Sequence, residues 1–117
     1  MHAISVWTMS ENTIHAEISV IPIGIRSETT TSMSNEIAAA FDAVQKIKGL
    51  KTILTAMGTQ MESNNFANIL KAIEVVHEVV RTAGAKRIIS TIRIDERSDK
   101  SISLEEKVKS VMEKIGN

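Results

Sequence analysis

The order in which the hydrophobic period changes along the chain is the feature that most constrains its fold. A period of two comes first, carried by Ile14, Ala16, Ile18 and Val20. This alternation predicts a half-buried strand that Pro22 and Gly24 end. The period then lengthens to three or four residues, at Ile37, Phe41, Val44 and Ile47. Those spacings predict a helix over 33–48, and we expect Ser32 or Ser34 to cap its start and Gly49 to end it.

The second half of the chain repeats the alternation of strand and helix signals. Two short segments, Leu50–Ala56 and Gly58–Glu62, predict a second and a third strand joined by a tight connection. A second helix follows Asn65 and ends at Gly84, with an apolar stripe at Phe66, Ile69, Leu70, Ile73, Val76 and Val80. A fourth strand alternates again, with Ile88, Ser90, Ile92 and Ile94 on one side. A last helix begins at the capping box Ser103–Glu106 and carries an apolar stripe of Leu104, Val108, Val111, Met112 and Ile115.

This order of elements predicts one α+β domain over residues 13–117. Right-handed crossovers place the two main helices on one face of a four-stranded antiparallel sheet, which is the ferredoxin-like βαββαβ two-layer sandwich, here with an added C-terminal helix. We expect Ile18 and Ile92 to lie in the core on adjacent central strands. Residues 1–12 carry no clean period, and we predict that they form a flexible N-terminal extension.

Composition excludes several classes of function. The 117 residues include 14 Lys and Arg against 14 Asp and Glu, so no net basic field attracts nucleic acid. Aromatic residues make up 3%, too few for the stacking platforms of single-strand binders. The absence of cysteine excludes disulfides, thiolate zinc sites and cysteine nucleophiles. No apolar run approaches the ~18 residues of a membrane span, and no signal peptide is evident, so we predict a cytoplasmic protein.

Few side chains form a pattern that indicates catalysis. The three histidines are far apart, and we expect structural or solvent-facing roles for His15 and His77. The charged run over 95–100 mixes both signs, which fits a solvated turn better than a calcium site. Gly24 and Arg26 after the first strand are a weak match to acyl-phosphate hydrolases, but no nucleophile or base accompanies them. We therefore predict a protein that is not an enzyme and holds no metal or cofactor.

Two surfaces of the predicted sandwich have no partner within the two layers. One is the sheet face away from the helices, where Glu17 is either an ordinary surface charge or the anion of a binding site. The other is the apolar stripe of the last helix. That helix either packs on its own sheet or contributes to an oligomer in which sheets meet or the helix crosses to a neighbour. We favour the oligomer, because apolar surface of this extent usually finds a partner.

Three segments together resemble a known family. They are AEISVIPIG in the first strand, LTAMGT at the second hairpin and AGAKRIISTIRIDERSDK around the fourth strand. Over residues 13–117 the chain resembles the thiamine-binding protein family, which is related to YkoF. The resemblance implies a non-enzymatic homo-oligomer, a tetramer of sheet-paired dimers or a dimer, that binds thiamine or its hydroxymethylpyrimidine moiety as carrier, buffer or sensor. The alternative is a structural or regulatory homo-oligomer without a thiamine ligand.

A thiamine site makes demands that several side chains of this sequence meet. The aminopyrimidine needs donors and acceptors, the thiazolium is cationic, and both rings favour apolar walls. Positions matching recurrent segments of the family include Ser19, Thr59 and Thr91, which supply hydroxyl groups. Glu17 supplies a counter-charge, and Met57 or Met61 supplies a soft wall. We predict Glu17, Ser19, Met57, Thr59 and Thr91 as ligand-binding residues.

Overall fold

The computed structural model describes residues 13–25 and 31–116. Its elements, in chain order, are β1 (Ile14–Ile23), α1 (Ser34–Gln45), β2 (Lys51–Leu54), β3 (Thr59–Ser63), α2 (Phe66–Thr82), β4 (Arg87–Glu96) and α3 (Leu104–Gly116). This sequence of elements confirms the predicted ferredoxin-like βαββαβ fold with an added C-terminal helix. The N-terminal extension predicted over residues 1–12 lies outside the described residues, and so does Arg26.

The four strands form one antiparallel sheet in the order β2-β3-β1-β4. β1 pairs with β3 only from Ile14 to Ile18, whereas it pairs with β4 along its whole length. Of the two residues predicted to end the first strand, Pro22 lies inside β1, which continues to Ile23 and stops directly before Gly24. The Ile23 carbonyl accepts a hydrogen bond from Lys86 N on the β4 side. Because successive residues of a strand point their backbone groups in opposite directions, the nitrogen of Pro22, which carries no hydrogen, faces the other side of β1, where no described strand pairs with it.

The core lies between the sheet and helices α1 and α2. Its fully or nearly fully buried members are aliphatic residues of β1, β3, α1 and α2, namely Ile14, Ala16, Ile18, Val20, Ala40, Val44, Met61, Ile69, Ala72, Val76 and Val80. The predicted alternation in β1 is therefore confirmed, and all four of its apolar residues face the helices. Leu70, which the sequence placed on the buried stripe of α2, is exposed instead.

The prediction that Ile92 belongs to the core is wrong. Ile92 lies directly opposite Ile18, so the two strands are adjacent as expected. However, β4 is an edge strand, not a central one. Ile18 is 3% exposed beneath the helices, whereas Ile92 is 38% exposed. The physical reason is that the helix layer covers the middle of the sheet and leaves this edge partly open.

Helix ends follow local chemistry, with two differences from the prediction, both in α1. Asn65 caps α2 by accepting a hydrogen bond from Ala67 N at 3.0 Å. The prediction that Gly49 ends the first helix is wrong, because α1 ends at Gln45 and Lys46 is its C-cap. Gly49 lies in the turn that follows and has a φ of +81°, a backbone conformation that glycine adopts without strain. The residue at the cap of α1 is Met33, which makes no side-chain cap, so neither predicted serine occupies that position.

Helix α3 is set apart from the two-layer body. The predicted capping box is confirmed, because Glu106 N donates to Ser103 Oγ at 3.1 Å and Ser103 N donates to Glu106 Oε1 at 2.7 Å. None of the residues of α3 is buried, and its stripe of Val108, Val111, Met112 and Ile115 is exposed. Within the described part of the chain, every helix is too short or too polar to cross a membrane.

Candidate functional site

The strand register places the predicted site residues on two faces of the sheet. Side chains alternate along β1, so Glu17 and Ser19 face away from the core that Ile18 enters. Thr59 lies opposite Ile18 and therefore shares the helix side of the sheet. Thr91 lies opposite Ser19 and shares the open side. The side chains of the five predicted ligand-binding residues therefore do not share one face of the sheet, and they cannot form a single site.

A cleft of about 320 Å³ opens on the helix side, where the β2–β3 turn approaches β1 and α1. We call it the helix-side cleft. Met57 and Thr59 line it, together with apolar residues that include Ile18, Val20, Met33, Ile37, Leu54 and Val76. Ser19 also borders the cleft, although its side chain points to the open side of the sheet. Thr59 is 9% exposed, whereas Met57 is 85% exposed at the tip of the turn. The cleft thus combines apolar walls with the hydroxyl group of Thr59.

The turn between β2 and β3 is held in place by its own hydrogen bonds. Thr55 donates twice to the Gly58 carbonyl, from its backbone N at 2.9 Å and from its Oγ1 at 2.7 Å. Gly58 N donates back to Thr55 Oγ1 at 3.2 Å. A Cβ atom at Gly58 would lie 3.0 Å from the Ile18 carbonyl oxygen, so glycine permits the turn to lie against β1. This packing fixes Met57 and Thr59 beside the cleft.

A second depression, of about 450 Å³, lies on the open side between the sheet and α3. We call it the polar groove. It is formed by His15, Glu17, Gln60, Arg93 and Asp95 of the sheet and by Leu104, Lys107 and Val108 of α3. Gln60 Nε2 donates to Glu17 Oε2 at 3.2 Å, and Arg93 Nη2 lies 3.8 Å from Glu17 Oε1. Glu17 is thus held between an amide and a guanidinium group.

Polar contacts fix the first turn of α3 above this groove. Leu104 N donates to Glu62 Oε1 at 2.8 Å, which joins the helix start to β3. Lys107 Nζ donates to Asp95 Oδ2 at 2.6 Å, and this hydrogen bond lowers the pKa of the Asp95 carboxyl. An ion pair with Lys51 likewise lowers the pKa of Glu105. Charged and polar contacts, rather than the burial of apolar side chains, therefore hold α3 in place as a wall of the groove.

His15 lies beneath this first turn. The residue is 6% exposed, and its Nε2 is 3.4 Å from Glu62 Oε1 without the alignment of a hydrogen bond. Among the described residues, this nitrogen has no hydrogen-bond partner. The sequence indicated a structural or solvent-facing histidine, and the structure shows a buried one. No local pattern around His15 reveals this burial.

The five predicted residues are therefore distributed as follows. Ser19, Met57 and Thr59 line the helix-side cleft, Glu17 lines the polar groove, and Thr91 lines neither. Met61, the alternative to Met57 as a soft wall, is fully buried in the core. The sequence did not predict the other polar residues of the groove as ligand-binding, namely Gln60, Arg93, Asp95 and Lys107, although Arg93 and Asp95 lie in a segment that matches the family. The signal that reveals most of them is cross-strand register, since Gln60 and Arg93 lie opposite Glu17 on its two neighbouring strands.

The other candidate chemistry has structural explanations. His77 Nε2 and Ser90 Oγ form a hydrogen bond of 2.9 Å that joins α2 to β4. Arg97 donates to both carboxylate oxygens of Asp99, at 2.8 and 2.6 Å, and holds the pKa of Asp99 at about 2. No group of three or more histidine, aspartate or glutamate side chains in the described ranges is arranged to hold a metal ion.

Comparison with known proteins agrees with this architecture. A UPF0045 protein of Methanothermobacter thermautotrophicus is 39% identical over 102 residues, covering 87% of this chain and 99% of the relative. The crystal structure of MJ1052 from Methanocaldococcus jannaschii is 34% identical and superimposes with a TM-score of 0.75, covering 87% of this chain and 98% of that one. TM0486 of Thermotoga maritima, a candidate thiamine biosynthesis or salvage protein, shares the fold at 20% identity, with a TM-score of 0.57 over 85% of this chain and 98% of that one. Residues 16–112 match the family described as thiamine-binding protein. The chain therefore belongs to the thiamine-binding protein family.

Proposed function

We propose that the chain is a non-enzymatic binding protein for thiamine or its hydroxymethylpyrimidine moiety, and that the ligand ring enters the helix-side cleft. The observation that carries this proposal is the composition of the cleft within a chain of this family. Small-molecule sites are mostly apolar concavities with a few placed polar groups. The cleft has aliphatic walls, and its volume of about 320 Å³ lies at the lower end of the range of small-molecule pockets.

Thr59 is the residue that we expect to orient the ring. Its side chain lies on the helix side of the sheet and lines the cleft. A hydroxyl group both donates and accepts, which matches the amino group and ring nitrogens of an aminopyrimidine. Met57 at the exposed tip of the turn supplies a flexible apolar side chain that covers the ring after entry. Ser19 lines the same cleft.

Thermal unfolding with added ligand tests the proposal. Thiamine or hydroxymethylpyrimidine at about 100 times the dissociation constant should stabilise the folded chain by ~2.7 kcal/mol and raise Tm by several degrees. Thr59→Val keeps the side-chain shape and removes the hydroxyl group, so it should weaken binding about tenfold. If neither compound raises Tm of the parent protein, the proposed function is wrong.

Two variants on the open face locate the site. Thr91→Val removes the same hydroxyl group from the predicted residue that lines neither depression, and we expect it to bind ligand as the parent does. Glu17→Gln removes the counter-charge predicted for a thiazolium, and we expect it to leave binding through the cleft intact. Loss of binding in Glu17→Gln but not in Thr59→Val would show that the ligand binds in the polar groove and would refute binding in the helix-side cleft.

The proposal includes a cytoplasmic homo-oligomer, a tetramer or a dimer, that serves as carrier, buffer or sensor. Two exposed features support assembly. The stripe of α3 is apolar and uncovered, and β4 is a ten-residue edge strand with Ile92 and Ile94 partly exposed. An edge strand offers unpaired backbone groups to a second copy, and closed symmetry then satisfies both surfaces.

Light scattering at micromolar concentration should give a mass well above one chain. A monomer at that concentration would refute the assembly and leave the ligand proposal standing. An oligomer that shows no Tm change with either compound would instead support the second candidate, a structural or regulatory assembly without thiamine. The exposed stripe of α3 is the observation that favours this alternative.

A further inference from the structure

We infer that the polar groove is a second small-molecule site, independent of the proposed thiamine site, and that it takes a small planar uncharged molecule with an N–H donor beside an acceptor. Primary carboxamides have this chemistry. The groove lies on the opposite face of the sheet from the helix-side cleft, and its volume of about 450 Å³ falls within the range of ligand pockets.

The first step is that a complementary pair in the groove is left incompletely satisfied. Arg93 Nη2 lies 3.8 Å from Glu17 Oε1, beyond the 2.7–3.2 Å of an N–H···O hydrogen bond. The Arg93 side chain is 84% exposed, whereas Glu17 is held on its other oxygen by Gln60. A guanidinium donor and a carboxylate acceptor therefore stand side by side, each with capacity for one more partner.

The second step concerns charge. Four charged side chains line the groove, and they form two opposite pairs, Glu17 with Arg93 and Asp95 with Lys107. An anionic ligand would satisfy Arg93 but meet Glu17, and a cationic ligand would do the reverse. A neutral molecule that donates to Glu17 and accepts from Arg93 satisfies both without adding charge.

The third step concerns shape. One wall of the groove is the apolar surface of Leu104 and Val108 on the first turns of α3, and the floor is the sheet itself. The hydrogen bond from Leu104 N to Glu62 and the contact of Lys107 with Asp95 fix this wall above the floor. A slot between a flat sheet and a helix face suits a planar molecule, whose faces contact aliphatic groups while its edge contacts Glu17 and Arg93.

Three probes of nearly the same shape test the inference. Benzamide is neutral and carries a donor beside an acceptor, benzoate is anionic with acceptors only, and benzamidine is cationic with donors only. Titration of the ¹⁵N-labelled full chain should show saturable benzamide shifts at Gln60, Arg93 and Val108 and none at Met57. Because each charged probe leaves one member of the Glu17–Arg93 pair unsatisfied, both should bind about tenfold more weakly.

Two arginine variants on one strand give the control. Arg93→Met keeps the aliphatic stem and removes the donors, so benzamide should bind about tenfold more weakly. Arg87→Met makes the same change on the same face of β4 but outside the groove, and binding should be unchanged. The inference fails if benzoate or benzamidine binds as well as benzamide, if Arg93→Met binds normally, or if the benzamide shifts map to the helix-side cleft. It also fails if groove signals shift on dilution without ligand, which would show that a second copy occupies the groove.

Discussion

Two isoleucines that face each other across β1 and β4 give a quantitative test of the layer arrangement. Ile18 and Ile92 are paired in register, yet they are 3% and 38% exposed. Isoleucine-to-alanine replacement removes three carbon atoms, at about 0.8 kcal/mol for each buried CH₂ group. Ile18→Ala loses nearly all of this transfer free energy and leaves an enclosed cavity, so the free energy of unfolding should fall by about 3–4 kcal/mol. Ile92→Ala loses about three fifths of the transfer free energy and encloses no cavity, so we expect about 1–1.5 kcal/mol.

Urea denaturation of the two variants and the parent measures both values. The slope of unfolding free energy against urea should stay constant, so that the midpoints report stability alone. Equal losses for the two variants would refute the assignment of β4 to the edge of the sheet. The measurement should be repeated over a range of protein concentration, because association through the β4 edge would make the Ile92→Ala loss increase with concentration.

Three further changes probe the turn, the cap and the helix anchor. Gly58→Ala should lower the free energy of unfolding, measured by calorimetry, by about 1–3 kcal/mol, because the added Cβ would press on the Ile18 carbonyl. Gly116→Ala is the control, since the space around Gly116 is open, and it should change the free energy of unfolding by less than about 0.5 kcal/mol. Ser103→Ala removes the capping hydroxyl and should cost about 1 kcal/mol, seen as faster amide exchange in the first turn of α3; unchanged exchange would refute the capping role. The lowered pKa of Asp95 means that its contact with Lys107 stabilises the folded chain above the ordinary aspartate value of 3.8 and that this contribution disappears as pH falls through the lowered pKa. Amide protection in α3, corrected for intrinsic exchange, should therefore be lower at about pH 3 than at about pH 6, and Lys107→Met should reduce that difference.

Local patterns predict most of the fold because local chemistry determines it. The period of two in β1 identifies all four of its core residues, and the capping box at Ser103 forms as the sequence indicates. Such features depend on residues only a few positions apart. Ile92 shows the limit, because alternation identifies the face of a strand but not its position in the sheet. Whether β4 lies at the centre or the edge depends on pairing between segments far apart in sequence.

The candidate site is less predictable for the same reason. The hydroxyl groups of Ser19, Thr59 and Thr91 fit the chemistry of a thiamine ligand, but register decides which face each side chain takes. Met61 is buried in the core, and Thr59 lies two residues before it in β3, so period two already placed Thr59 on the helix side. The polar groove depends on the docking of α3, which rests on contacts such as that between Leu104 N and Glu62. Those contacts join residues about forty positions apart, beyond the reach of any motif.

The proline inside β1 has a consequence for solubility. Among residues 13–25 and 31–116, the strand beyond Ile18 pairs only with β4, so within these ranges no strand adjoins its other edge from Ser19 to Ile23. Exposed edges beside apolar side chains such as Ile21 recruit strands from other molecules and begin aggregation. Pro22 interrupts the row of donors on that edge, because the Ile23 carbonyl already faces β4 and the proline faces outward without an N–H. The residue that sequence reasoning took for a strand end thus protects an exposed strand from indiscriminate pairing.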